Sequence, residues 1–210
     1  MPRTARVLYD EGIYHILNRG NNKQPIFYNN SDYLMFKDIT KKYLSKYAIQ
    51  IYNYALLPNH FHFLLIAIKA RELQKFMQGI CQIYTCYHHR KYNSVGYLFQ
   101  NRYKSLLINE DAYLAECTGY IERNPVRAGL ASSASEYLYS SYRFYANNSK
   151  DFLLTENPLY GNMGTTSLKR KKAFVEFVNK VNIYEEKIMD KKLQIACLGV
   201  PLLGPSPNRG

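Results

Sequence analysis

The chain has 210 residues, enough for one domain with a proper buried core and a short appendix. Lysine and arginine outnumber aspartate and glutamate 28 to 16, a net charge of +12 that points to a polyanionic partner. With 21 tyrosines and 10 phenylalanines among those charges, single-stranded nucleic acid fits better than a membrane surface, although any one tyrosine is by default a core residue. The start, Met1-Pro2-Arg3-Thr4-Ala5-Arg6, has no apolar core and does not read as a signal peptide. The longest apolar run, Phe63 to Ile68, is too short to cross a bilayer. Cys81, Cys86, Cys117 and Cys197 form no CxxC or zinc-finger spacing and read as reduced thiols of a cytoplasmic protein.

In chain order, Gly12 to Asn18 alternates around Ile13, His15 and Leu17, the pattern of a first strand. Arg19 to Pro25 is a turn-rich basic loop. A helix is expected from an N-cap at Ser31, with Leu34, Ile39, Tyr43 and Tyr47 inward and Lys41, Lys42 and Lys46 towards its end. Ile49 to Leu57, a Pro58-Asn59 turn and His60 to Ala67 predict a hairpin. From Arg71 to Tyr92, the spacing of Leu73, Phe76, Met77, Ile80, Ile83, Tyr84 and Tyr87 predicts a long helix. Arg102 to Ile108 reads as a strand, and Asn109 as the cap of a helix from Glu110 to Asn124 that Pro125 should stop.

That order, β-α-β-β-α-β and then a helix, predicts an α+β, ferredoxin-like fold with helices on one side of an antiparallel sheet. The opposite face is expected to be free to carry a site. Residues 1–150 form the expected domain. Residues 151–210 read as a basic helical extension, in which Leu168 to Lys192 is either an extra DNA-binding helix or, as the better reading, an amphipathic helix packed on the domain, followed by a mobile Gly/Pro-rich tail from Gly199.

Within the hairpin, Asn59-His60-Phe61-His62-Phe63 puts two imidazoles on one side of an apolar strand, with Cα atoms roughly 6.7 Å apart. That is close enough for both to grip one cation. On the following helix, Tyr120 and Asn124 are four apart and share a face, about 100° from Ile121 on the core stripe of Leu114, Thr118 and Ile121. On spacing alone, a packed tyrosine and a fraying asparagine explain these two equally well. Gly119 beside them costs roughly 1 kcal/mol of helix stability, tolerable where something approaches the backbone closely. His15, on the first strand, reads either as a neighbour of the site or, more commonly for such a residue, as a simply hydrogen-bonded histidine, while His88 and His89 suit a helix end and are not assigned to the metal.

Three blocks in order carry a family resemblance: Asn59-His60-Phe61-His62-Phe63, Gly96-Tyr97-Leu98-Phe99-Gln100-Asn101-Arg102-Tyr103-Lys104-Ser105, and Tyr120-Ile121-Glu122-Arg123-Asn124-Pro125-Val126-Arg127-Ala128-Gly129-Leu130. With Gly12-Ile13-Tyr14-His15-Ile16 and Arg19-Gly20-Asn21-Asn22 ahead of them, they resemble the single-tyrosine HUH transposases, in particular the REP-associated tyrosine transposase branch, over roughly residues 1 to 150.

The resemblance implies a transposase and single-strand endonuclease that cleaves and rejoins hairpin-bearing single-stranded DNA through a 5′-phosphotyrosine. It makes Tyr120 the nucleophile and His60, His62 and Asn124 the ligands of a divalent ion, Mg²⁺ or Mn²⁺. Ligand softness alone would favour zinc or manganese over magnesium. Arg3, Arg6, Arg19, Arg102 and Lys104 are the expected DNA contacts, the first two on a basic amino-terminal arm and the last two sharing one face of a strand. A REP-like hairpin is the expected partner, bound by a monomer or homodimer. The rival readings are a structured-DNA-binding protein without catalysis and a metal-dependent nuclease that uses water.

Overall fold

The computed structural model describes residues 7–180 and 187–192. Strand β1 (Gly12–Arg19) leads through a 3-10 turn at Asn21–Lys23 into helix α1 (Asn30–Leu44). Strands β2 (Ile49–Leu57) and β3 (His60–Ala67) make the hairpin, with the turn where the sequence put it. Helix α2 (Ala70–Tyr92), strand β4 (Lys104–Ile108) and helix α3 (Asp111–Arg127) complete the unit. The four strands are antiparallel in the order β2-β3-β1-β4, the ferredoxin-like arrangement.

Alternation along the strands divides the core into two layers. Phe61, Phe63 and Leu65 of β3 and Tyr14 and Ile16 of β1 pack against Phe36 and Ile39 of α1 and Phe76, Met77, Ile80 and Tyr84 of α2. Each such side chain contributes about 2 kcal/mol through burial. Asp32, at the third position of α1, ties the two helices together. It accepts from the backbone N–H of Tyr28 and Asn29, from Lys91 Nζ at 2.6 Å, and from the Tyr87 and Tyr92 hydroxyls. The cap is therefore Asn29, in a reciprocal box with Asp32, and not Ser31. The inward stripe starts at Tyr33 and Phe36, which leaves Leu34 exposed. Ile83 is likewise exposed on α2.

The second face of the sheet is not free. Leu114, Cys117 and Ile121 of α3 cover Leu64, Leu106, Ile108, Ala55 and Leu57. An apolar sheet face this broad is stable only when another element buries it. Pro125 does not stop α3, which runs on to Arg127. So near the end, the proline forfeits only the bond that its own missing N–H would give the Ile121 carbonyl. The actual stop is Gly129, at φ +68°, with Gly129 N–H bonded to Val126 O and Leu130 N–H to Pro125 O at 2.9 Å each. This is the left-handed glycine termination.

Beyond α3, the short helices α4 (Tyr142–Asn147) and α5 (Pro158–Gly161) and the helix α6 (Ser167–Asn179) enclose a small core of Tyr142, Tyr145, Tyr160, Phe174 and Val178. Residues 187–192 are helical and contribute Met189 to the layer under α3. The expected helix from Leu168 to Lys192 thus corresponds to α6 and this piece, with 181–186 outside the described residues. The tail from Gly199 also lies outside them, as does Cys197. Cys81, Cys86 and Cys117 are free thiols.

Candidate metal and tyrosine site

Strand register gathers one end of the sheet into a basic, histidine-rich corner. Arg19 on β1 lies opposite His60, and Leu17 lies opposite His62 on one side and Lys104 of β4 on the other. By alternation His15, Leu17, Arg19, His60, His62 and Lys104 all face α3. The helix presents Tyr120 and Asn124 to them, one turn apart. Gly119 lets the Arg123 guanidinium lie against the α3 backbone, since a Cβ there would stand 2.7 Å from it.

The His60 and His62 rings have centroids 5.0 Å apart, and the His62 and Tyr120 rings 5.8 Å. Asn124 Nδ2 is 3.3 Å from His62 Nε2, and the same amide hydrogen-bonds His60. Behind the pair, His15 Nε2 is 2.9 Å from His62 Nδ1, and Asn59 Oδ1 is 2.6 Å from His60 Nδ1. His62 is 1% exposed and His15 0%.

Burial dominates the protonation of every ring here. It lowers His15 to about 3. It lowers His60 to about 4, with the Arg19 charge adding to the effect against the Asn124 bond. His62 falls well below its usual value through burial and then through His60, His15, Arg127 and Lys104. All three imidazoles are therefore neutral near pH 7, the state in which a nitrogen lone pair can bind a cation. Among the described residues no group of three His, Cys, Asp or Glu is placed to hold a metal. Two neutral imidazoles and an amide meeting at one point still form a donor set that fits a divalent ion, with room in its preferences for phosphate oxygens and water.

Tyr120 is 5% exposed, buried more deeply than a residue facing a neighbouring surface would be. The cover comes from residues 187–192. Its hydroxyl donates to Asp190 Oδ1 at 2.8 Å, and Arg127 Nη2 bonds Asp190 Oδ2 at 2.7 Å. The Arg127 guanidinium carbon lies 4.7 Å from the centroid of the Tyr120 ring. Burial and the Asp190 carboxylate push the phenol up to about 12, and Arg127 opposes them. Neither Arg127 nor Asp190 was a sequence candidate. Arg127 carried a signal, seven residues after Tyr120 and thus on its face of the helix. Asp190, 70 residues away from Tyr120 in the chain, carried none.

The remaining candidates scatter. Arg19 and Lys104 flank the histidines. Arg102 is exposed in the segment before β4, whose first residue is Lys104, so the two do not share a strand face. Arg3 and Arg6 lie outside the described residues. His88 and His89 stand at the far end of α2, beside Ser94 and away from the pair. No described helix is long and apolar enough to cross a membrane.

Comparison with known proteins adds four findings. The family model described as IS200-like transposase matches residues 9–124, more than half of the chain. No curated protein matches in sequence. A solved REP-associated tyrosine transposase bound to a REP hairpin is similar in fold, with a TM-score of 0.60 at 17% identity over 75% of this chain and 93% of that one. A candidate transposase from Deinococcus radiodurans R1 superposes with a TM-score of 0.40 at 16% identity, over 59% of this chain and 97% of that one.

Proposed function

Because the chain belongs to the IS200-like transposase family, and is thus a DNA-processing enzyme, we propose that it cleaves and rejoins hairpin-bearing single-stranded DNA with Tyr120 as nucleophile. The observation that carries this reading is the meeting of Tyr120, from α3, with His62, from β3, at ring centroids 5.8 Å apart beside Asn124. The REP hairpin held by the solved transposase of like fold supports a structured single strand as substrate.

In this account His60, His62 and Asn124 hold a divalent ion, Mg²⁺ or Mn²⁺. Such an ion offsets the charge on a phosphate oxygen when bound. Arg19 and Lys104 flank the pair on the sheet and bind the phosphodiester by charge. Tyr120 Oη attacks the phosphorus in line and gives up its proton. The 3′-oxygen leaves with the electrons of the broken bond and is protonated, so the products are a 5′-phosphotyrosyl enzyme and a free 3′-hydroxyl. One ester replaces another, and a 3′-hydroxyl reverses the step and joins strands.

Arg127 stabilises the phenolate by its charge and its place against the ring. Asp190 works the other way. Its carboxylate lies where a phosphate would approach Tyr120, and it must move aside first.

The test is incubation of the full chain, with Mn²⁺ or Mg²⁺, with a single strand carrying hairpins, read on a denaturing gel. Wild type is expected to give a protein-linked strand. Tyr120→Phe is expected to give neither adduct nor cleavage while still shifting the same DNA in a native gel. Cleavage that leaves no strand attached to wild-type protein would assign the chemistry to water instead.

A further inference from the structure

Two polar contacts stand behind the histidine pair, and neither is explained by packing. His60 Nδ1 meets Asn59 Oδ1 at 2.6 Å, and His62 Nδ1 meets His15 Nε2 at 2.9 Å. The amide orientation of Asn59 is set independently, because its Nδ2 donates to the Lys23 carbonyl at 3.1 Å. Its oxygen can only accept. His60 therefore carries its ring proton on Nδ1, and its Nε2 lone pair is turned away from Asn59.

For His62 the same result requires His15 to accept through Nε2. That places the proton of His15 on Nδ1, a fully buried atom with no hydrogen-bond partner. A buried N–H left unpaired costs about 1–3 kcal/mol. The opposite arrangement would have His15 donate and would leave the same Nδ1 as an unpaired buried acceptor. It would also put the proton of His62 on Nε2, facing Asn124, and remove the lone pair from the site. Asn124 Nδ2, an amide donor, is the atom that faces His62 Nε2 at 3.3 Å, which agrees with a lone pair there.

We propose that His15 and Asn59 are positioning residues that hold the ring protons of His62 and His60 on Nδ1, so that both Nε2 lone pairs converge on Asn124. The inference rests on the cation site described above and assigns to it an outer pair of acceptors. A metal-bound imidazole whose second nitrogen has a fixed partner keeps its orientation, and loss of such a partner weakens metal affinity by about 10–100-fold.

The experiment compares wild type, His15→Leu and His15→Gln, all full chain and free of DNA. Binding of Mn²⁺ alone is followed by loss of the free-ion electron paramagnetic resonance signal, and the tautomer of His62 by long-range ¹H–¹⁵N correlation. His15→Leu removes the acceptor at similar volume. His62 then moves its proton to Nε2, where the Asn124 amide turns over to accept it through Oδ1, and one unpaired buried nitrogen, His62 Nδ1, replaces another, His15 Nδ1. The expected result is a ~10–100-fold weaker Mn²⁺ affinity, a His62 signal changed to the Nε2–H form, and a thermal midpoint close to wild type. His15→Gln, which restores an acceptor oxygen, recovers the Nδ1–H form and most of the affinity. Unchanged Mn²⁺ affinity in His15→Leu, or an Nε2–H tautomer already present in wild type, overturns the proposal. Wild-type protein that shows the Nδ1–H tautomer but binds no Mn²⁺ overturns the cation site itself, and with it the purpose assigned to His15.

Discussion

Glu122 sits between Tyr120 and Asn124 in sequence, but its carboxyl turns to the other side of α3. There Oε1 accepts from Asn53 Nδ2 at 2.7 Å and from the Ser141 hydroxyl, while Oε2 is buried with no hydrogen-bond partner. Burial raises this acid from 4.5 to about 7 against the pull of both hydrogen bonds. The folded state therefore holds a proton between these values that the unfolded state releases, and the stabilisation is full below pH 4.5 and lost as pH rises through 7. The whole window is worth about 3 kcal/mol. The neutral imidazoles act in the opposite sense, since His15 and His60 bind protons on unfolding below pH 6.5 and favour the fold as pH rises. Glu122→Gln keeps an acceptor oxygen for Asn53 and Ser141 and never ionises. Its thermal midpoint relative to wild type is expected to be higher at pH 8 than at pH 5. A difference independent of pH would mean that Glu122 is ionised within the fold. Of these residues, only the histidine pair and the i, i+4 pair were legible in sequence. The role of His15 depends on an atom of another strand, and strand partners are not written in local pattern.

At the scale of elements, the hairpin was legible to the residue, because β-rich runs flank Pro58-Asn59 and their alternation survives folding. Helix α3 was less so. The residue before a proline is normally driven from helical geometry, but α3 keeps Asn124 and Pro125 within its last turns, and the termination lies in Gly129. The element that could not be foreseen is the 187–192 segment. Met189 anchors it in the layer under α3, Lys192 Nζ lies 3.7 Å from the Tyr113 ring centroid, and Asp190 engages both Tyr120 and Arg127. Those contacts set the resting state of the tyrosine. Asp190→Asn withdraws the negative charge, lowers the Tyr120 pKa and removes repulsion of phosphate. It is expected to raise the initial rate of adduct formation by about 10-fold or more, measured with a hairpin-bearing strand at fixed ion concentration. A 10-fold fall would instead make Asp190 the base that takes the phenolic proton.

At the scale of the whole molecule, element order alone led to the fold, since a β-α-β-β-α-β chain with short connections has few ways to close an antiparallel sheet. The covered second face was not foreseen, because chain order says nothing about where a later helix docks. Its consequence is functional. With α3 laid over the sheet, a tyrosine 60 residues downstream of His60 in the chain joins the β3 histidines at one point, inside a molecule of net charge +12. The most direct measurement of this account is mass-spectrometric mapping of the covalent product after reaction with a hairpin-bearing single strand. A nucleotide 5′-phosphate attached to Tyr120 alone, among the 21 tyrosines of the chain, is the result expected. Attachment to any other tyrosine, or cleaved strands with no peptide attached, would contradict it.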